Sequence, residues 1–117
     1  MSEKNQAITY IIPHTHWDRE WYSTFNQFRF RLIEMIDNLI DVLERNADFK
    51  YFNLDCQTVV LEDYLEIRPE NKERLTRLIQ AGRIGIGPWY AQSSPLLQTG
   101  EGLIRNILRG FSISKSF

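Results

Sequence analysis

Cys56 is the single cysteine of this 117-residue chain. It has no partner for an internal disulfide, and a reducing compartment is the simplest expectation. The sequence has no run of about 20 apolar residues, the length a helical span needs. It carries no basic surplus: the formal net charge is −1, which leaves no excess of cations to release counterions from nucleic acid. Met1–Gln6 is polar and lacks the charged-then-apolar layout of a signal peptide. The expectation from these absences is a cytoplasmic protein with neither a nucleic-acid partner nor a membrane span. No internal repeat, linker or low-complexity tract divides it, so residues 1–117 read as one domain. Histidine is also scarce, and both copies, His14 and His16, fall in one stretch.

That stretch is Pro13-His14-Thr15-His16-Trp17-Asp18-Arg19-Glu20-Trp21. It follows Ala7–Ile12, a run of β-branched and aromatic residues that suits a strand. Pro13 has no N–H to donate, so the strand is expected to end there. Two imidazoles and a carboxylate then arrive at a strand's carboxyl end, where α/β folds bind ligands. In an extended segment residues two apart share a face, which puts His14, His16 and Asp18 together. Imidazole nitrogen and carboxylate oxygen are ligands that zinc accepts. Three or four are needed, so the motif is half a site. Trp17, Trp21 and Tyr22 beside it suit the apolar C–H faces of a sugar ring. The plain alternative is a pair of hydrogen-bonded loop histidines beside core aromatics.

The rest of the chain alternates helices and strands. Thr24-x-x-Gln27 reads as a capping box. Phe25, Phe28, Leu32, Ile36, Leu39 and Leu43 form one helical stripe to about Arg45. Arg31, Glu34, Asp37, Asp41 and Glu44 on the opposite face read as solvated. Lys50–Leu54 is the second expected strand, with Asp55 at its end, either as a functional carboxylate or as the cap of the next helix. Cys56 reads as a small buried thiol. A helix spans Thr58–Arg68, and Pro69 opens another that Gly82 closes. Arg83–Gly87 is the third strand, and its glycines suggest close backbone approach. Trp89 and Tyr90 follow in a loop that could face a sugar. Thr99 caps a last helix that packs through Leu103, Ile104, Ile107, Leu108 and Phe111. The expected fold is α/β, a parallel sheet in the order β-α-β-α-α-β-α.

These motifs resemble glycoside hydrolase family 38 α-mannosidases. The likeness starts at His14-Thr-His16-Trp-Asp18 and continues at Tyr51–Thr58, Leu61–Glu70 and Ile84–Tyr90. It closes at Gly100–Gly110, so it covers nearly the whole chain. The resemblance implies a truncated seven-stranded β/α barrel catalytic domain, of which this chain is the N-terminal part. It implies retaining hydrolysis of mannose-containing glycans. It also implies one zinc ion held in part by His16 and Asp18, with His14, Trp17, Trp21, Asp55, Trp89 and Tyr90 as substrate contacts. Family members often carry Gly where Cys56 stands.

The chain departs from that pattern in two places. The family's nucleophilic Asp, itself a zinc ligand, falls on Ser94, and Gln92-Ser93-Ser94-Pro95 contains no carboxylate. Serine without a base is not an activated nucleophile. The family's other ligand, a downstream His, has no counterpart. The expectation is an α-mannosidase-like chain that is inactive alone, against two alternatives. One is a non-catalytic sugar-binding or structural remnant. The other is an unrelated metal hydrolase, such as a phosphoesterase or polysaccharide deacetylase. A truncated sheet exposes an edge, so self-association is also expected.

Overall fold

A computed structural model describes residues 7–117; the polar start Met1–Gln6 lies outside the described residues. The elements run α1 (Phe25–Arg45), β1 (Phe52–Asn53), α2 (Val59–Leu65), α3 (Lys72–Gln80), β2 (Ile84–Gly85) and α4 (Gly100–Ser114). Short 3-10 turns occupy Pro69–Asn71 and Pro95–Leu97.

α1 organises the core because its apolar residues recur every three or four positions. Phe28, Leu32, Ile36, Leu39, Ile40 and Leu43 are all buried. All but Phe28 join one core with Val60, Leu61 and Tyr64 of α2 and Leu75 and Leu78 of α3. Each such side chain contributes about 1.5–3 kcal/mol by leaving water. The start of α1 is fixed by Gln27 Oε1, which accepts the Thr24 N–H at 3.1 Å. The end of α3 is fixed by Gly82, whose φ of +68° is the left-handed turn that lets a helix stop.

β1 and β2 pair in parallel, with Phe52 opposite Ile84 and Asn53 opposite Gly85. A Cβ at Gly85 would overlap the Tyr51 hydroxyl, so a larger residue there has to displace that ring. The strand expected over Ala7–Ile12 does not form. Ile8, Tyr10, Ile11 and Ile12 are 60–89% exposed, and no strand among the described residues pairs with them. The first segment joins the sheet later, at a single parallel bridge between His14 and Asn53. Pro13 does not end that pairing. Its carbonyl accepts the Asn53 N–H at 3.0 Å, and Thr15 N–H donates back to the Asn53 carbonyl at 3.2 Å. The ladder there needs only proline's oxygen, so the missing N–H costs nothing.

Three further expectations are corrected. Asp55 does not cap α2, because Thr58 holds the N-cap position. Asp37, Asp41 and Glu44 are not a free solvated face. Asp37 accepts from Tyr64 Oη at 2.5 Å and Asn71 Nδ2 at 3.2 Å, while Asp41 and Glu44 both bind Arg74. The apolar face of α4 is largely uncovered, with Ile104, Leu108 and Phe111 exposed.

The turn after β1 is strained. Asp55 and Cys56 adopt φ of +52° and +60°, the left-handed region that costs an L-residue about 1–2 kcal/mol. Cys56 is free and half-buried rather than buried. Cys56→Gly removes that cost at its own position. Glycine's extra unfolded-state freedom takes back about 0.4–1 kcal/mol. We expect a net gain of up to about 1.5 kcal/mol, read as a higher urea midpoint. A lower midpoint would mean that the thiol's packing outweighs the strain.

Candidate functional site

The parallel register builds the site. His14 lies opposite Asn53 and Asn53 opposite Gly85. Side chains two residues apart share a face of an extended chain. Two residues beyond that register, His16 comes beside Asp55, and its Nδ1 lies 2.5 Å from Asp55 Oδ2. On its other side, His16 Nε2 lies 3.6 Å from Asp18 Oδ1. The hydrogen bond to Asp55 raises the His16 pKa above its ordinary value, with a smaller push from Asp18 and partial opposition from burial. The charged ring's contribution to stability is therefore complete below the ordinary imidazole pKa. It is lost as pH climbs through the raised one.

His16 forms the wall between two open clefts. One, of about 440 Å³, is lined by His14, His16, Asp55, Gln92, Ser93 and Ser94. The other, of about 490 Å³, has His16, Trp17, Asp18, Trp21, Tyr22 and Phe28 in its lining. Polar hydroxyl, amide and carboxylate groups thus line the first cleft, and aromatic rings together with Asp18 and Arg31 line the second. Ser94, more than seventy positions from the histidine motif, opens onto the same cleft as His14 and Asp55. Trp17 packs its ring edge-on to Phe28 at 6.1 Å and adjoins the core, whereas Trp21 is largely exposed. Trp89 and Tyr90 line neither cleft. Tyr90 packs against the core, with the Arg109 guanidinium 5.8 Å from its ring, and burial raises its pKa.

What brings Gln92–Ser94 to the cleft is a pair of amides. Asn106 of α4 accepts the N–H groups of Tyr90 and Ala91 at 2.8 and 3.0 Å and donates to the Ala91 carbonyl at 2.6 Å. Gln57 is 2% exposed and has both ends engaged. Its Nε2 donates to the Trp17 carbonyl at 3.0 Å, and its Oε1 accepts the Gln92 N–H at 3.2 Å. It therefore ties the histidine loop to the Ser94 loop. The sequence reading singled out neither amide for a role. Gln57 lies two positions after Asp55, which the resemblance implies as a substrate contact, and that was the available signal. Gln92 and Ser93 carried none.

Among the described residues, no group of three or more His, Cys, Asp or Glu converges to hold a metal, and no helix is long and apolar enough to cross a membrane. His16 lies between two carboxylates, Asp18 on its Nε2 side and Asp55 on its Nδ1 side.

Known proteins share this chain's sequence and its fold. The family model described as the glycosyl hydrolases family 38 N-terminal domain matches residues 6–116. A Halalkalibacterium halodurans protein named "Putative mannosylglycerate hydrolase" is 43% identical over 112 residues, which is 96% of this chain. An α-mannosidase crystal structure from Enterococcus faecalis V583 superposes with a TM-score of 0.87 at 43% identity over 90% of this chain. A second E. faecalis structure, of a glycosyl hydrolase family 38 protein, gives 0.83 at 40% identity over 92%. The chain spans 12% of the length of each of these relatives.

Proposed function

Since this chain belongs to glycosyl hydrolase family 38, we propose that it supplies the opening part of the active site of a zinc-dependent, retaining α-mannosidase. Its substrates would be mannose-containing glycans, and the whole catalytic domain would be a seven-stranded β/α barrel. The observation that carries this reading is the pairing of His16 with Asp18 in the lining of one cleft, with Asp55 on the other nitrogen of the ring.

The donor chemistry suits a zinc ion. Ligands at about 2.0–2.2 Å in tetrahedral array lie about 3.3–3.6 Å from one another, and His16 Nε2 and Asp18 Oδ1 are separated by 3.6 Å. His16 and Asp18 would hold the ion, which supplies Lewis-acid polarisation of a bound oxygen. Trp21 and Tyr22 would receive the apolar face of a sugar, and Asp55, His14 and the Gln92–Ser94 segment its hydroxyls.

A retaining glycosidase needs two carboxyl groups about 5–5.5 Å apart. The nucleophile slot here is Ser94, so the chain alone is expected to turn over no aryl α-mannoside. Ser94 also supports a second reading, a non-catalytic sugar-binding remnant of the fold. Ser94→Asp in a full-length protein separates them: gained turnover supports the first, and retained mannose binding without turnover the second.

Zinc titrated onto the dialysed chain, beside a His16→Ala/Asp18→Ala double variant, tests the metal assignment. We expect weak binding by the parent and at least about tenfold weaker binding by the variant. Equal binding would remove His16 and Asp18 as ligands. The exposed Ile8, Tyr10 and Ile11 and the open face of α4 are expected to drive self-association. A clean monomer at high concentration by size exclusion with light scattering would overturn that.

A further inference from the structure

We propose that Asp55 is a positioning residue, one that fixes the tautomer of His16 so that Nε2 presents its lone pair toward Asp18. An ionised carboxylate can only accept hydrogen bonds. The 2.5 Å contact with Asp55 Oδ2 therefore places the ring proton on Nδ1. In the neutral ring the lone pair is then on Nε2, the nitrogen that lies 3.6 Å from Asp18 Oδ1. Two acceptors facing each other across that gap repel unless a cation lies between them. Asp55 thus turns His16 from a ring with two possible tautomers into one with a single outward donor of electrons.

The backbone around Asp55 is built to keep that aim. The His14–Asn53 bridge holds the two segments in register. Asn53 Oδ1 accepts the Cys56 N–H at 3.1 Å, and the Leu54 carbonyl accepts the Gln57 N–H at 3.1 Å. Buried Leu54 and Gln57 flank the turn on either side. Between them Asp55 and Cys56 stay in the left-handed region at φ +52° and +60°. Strain held at two successive non-glycine residues marks a place where the surrounding structure dictates the conformation. The strained turn sends the Asp55 carboxylate toward the His16 ring and not toward α2, whose N-cap is Thr58.

The metal part of this proposal rests on the zinc reading above, but the tautomer part does not. The 117-residue chain, labelled with ¹⁵N-histidine, contains only His14 and His16, so the two rings are easily told apart with a His16→Ala reference. Long-range ¹H–¹⁵N spectra at alkaline pH report each neutral tautomer. We expect His16 in the parent to be predominantly protonated on Nδ1. Asp55→Gly removes the carboxylate while suiting a positive φ, and should return His16 to the mixture that exposed His14 shows. Asp55→Asn also tolerates that backbone. Its amide can serve either tautomer, so it should give an intermediate result. Zinc binding by the same proteins, read by competition with a chromophoric chelator, should weaken about 10–100-fold in Asp55→Gly. An unchanged His16 tautomer in folded Asp55→Gly and Asp55→Asn would overturn the proposal. So would an unchanged zinc affinity in a parent that binds zinc. An Asp55-dependent tautomer in a chain that binds no zinc would uphold the positioning and reject the metal reading instead.

Discussion

Gly110→Ala is expected to destabilise the chain by about 3 kcal/mol, the upper end of what an added methyl group costs in a packed interior. Alanine is normally the better helix former by about 1 kcal/mol, and Gly110 lies within α4. Propensity therefore predicts a gain. Packing reverses the sign. A Cβ at position 110 would overlap the Pro88 carbonyl oxygen and lie 2.5 Å from the Trp89 carbonyl carbon and 2.7 Å from the Tyr90 nitrogen. All three are backbone atoms, so no side chain can rotate away. Nor can that segment retreat. The Trp89 N–H donates to the Cys56 carbonyl at 3.1 Å, and the Tyr90 carbonyl accepts the Val59 N–H at 2.9 Å. α4 must lift off instead, and with it Asn106, which holds Tyr90 and Ala91. The Gln92–Ser94 wall of the cleft is expected to loosen at the same time. Gly100→Ala is the control, because nothing lies within 4 Å of its Cβ; that variant should be neutral or slightly stabilised. Urea unfolding followed by far-UV circular dichroism reads both. A Gly110→Ala midpoint equal to the parent's would show that α4 is not seated on the Pro88–Tyr90 backbone.

How much of this was readable in advance depends on the distance over which each interaction acts. α1 was legible from its stripe, and Gly82 from its place after α3, because helix periodicity and helix ends are decided within a few residues. Asp37 was not legible. Its neighbours on α1 mark it as an outward charge. Only the packing of α2 and α3 across that face brings Tyr64 and Asn71 to it. The run Ala7–Ile12 has a strand's composition, yet a strand exists only where a neighbour supplies its hydrogen bonds, and that neighbour begins at Pro13. The apolar stripe of α4 likewise marks a packing face, yet most of it stays uncovered among the described residues. For the site, the spacing of His14, His16 and Asp18 was visible as potential ligand chemistry. The bond from His16 to Asp55 was not, because it depends on a parallel register between segments 39 residues apart. Asp55 itself was visible at a strand end, but whether it would face a helix or an imidazole was decided by two positive φ angles.

The histidine loop is anchored from its far end by a pair equally hidden in the sequence, and breaking that pair is expected to cost about 3 kcal/mol. Arg19 donates to Asp63 through Nε at 2.7 Å and Nη2 at 2.9 Å, a two-pronged contact spanning 44 positions. Asp63 sits in α2 and is only 6% exposed, whereas the Arg19 side chain is 42% exposed. The two partners are therefore unequal. Arg19→Ala strands a carboxylate in the interior, for which the usual cost is about 3–5 kcal/mol. The partial exposure of Arg19 admits some water, so the lower end is expected. The guanidinium also lies 4.9 Å from the Phe25 ring, which Arg29 approaches at 5.6 Å, and that stacking is lost as well. If the cost is the stranded charge, removing the charge should recover most of it. Arg19→Met/Asp63→Leu replaces both groups with apolar ones, and such exchanges are often neutral. The double variant is thus expected to be more stable than Arg19→Ala alone, though it loses the geometric lock on Trp17 and Asp18. Urea midpoints for the parent, Arg19→Ala and the double variant decide the matter. If the double variant is no better than the single one, the pair stabilises by its own attraction rather than by avoiding a bare buried charge. If Arg19→Ala costs nothing, the histidine loop is held by Gln57 and the strand register alone.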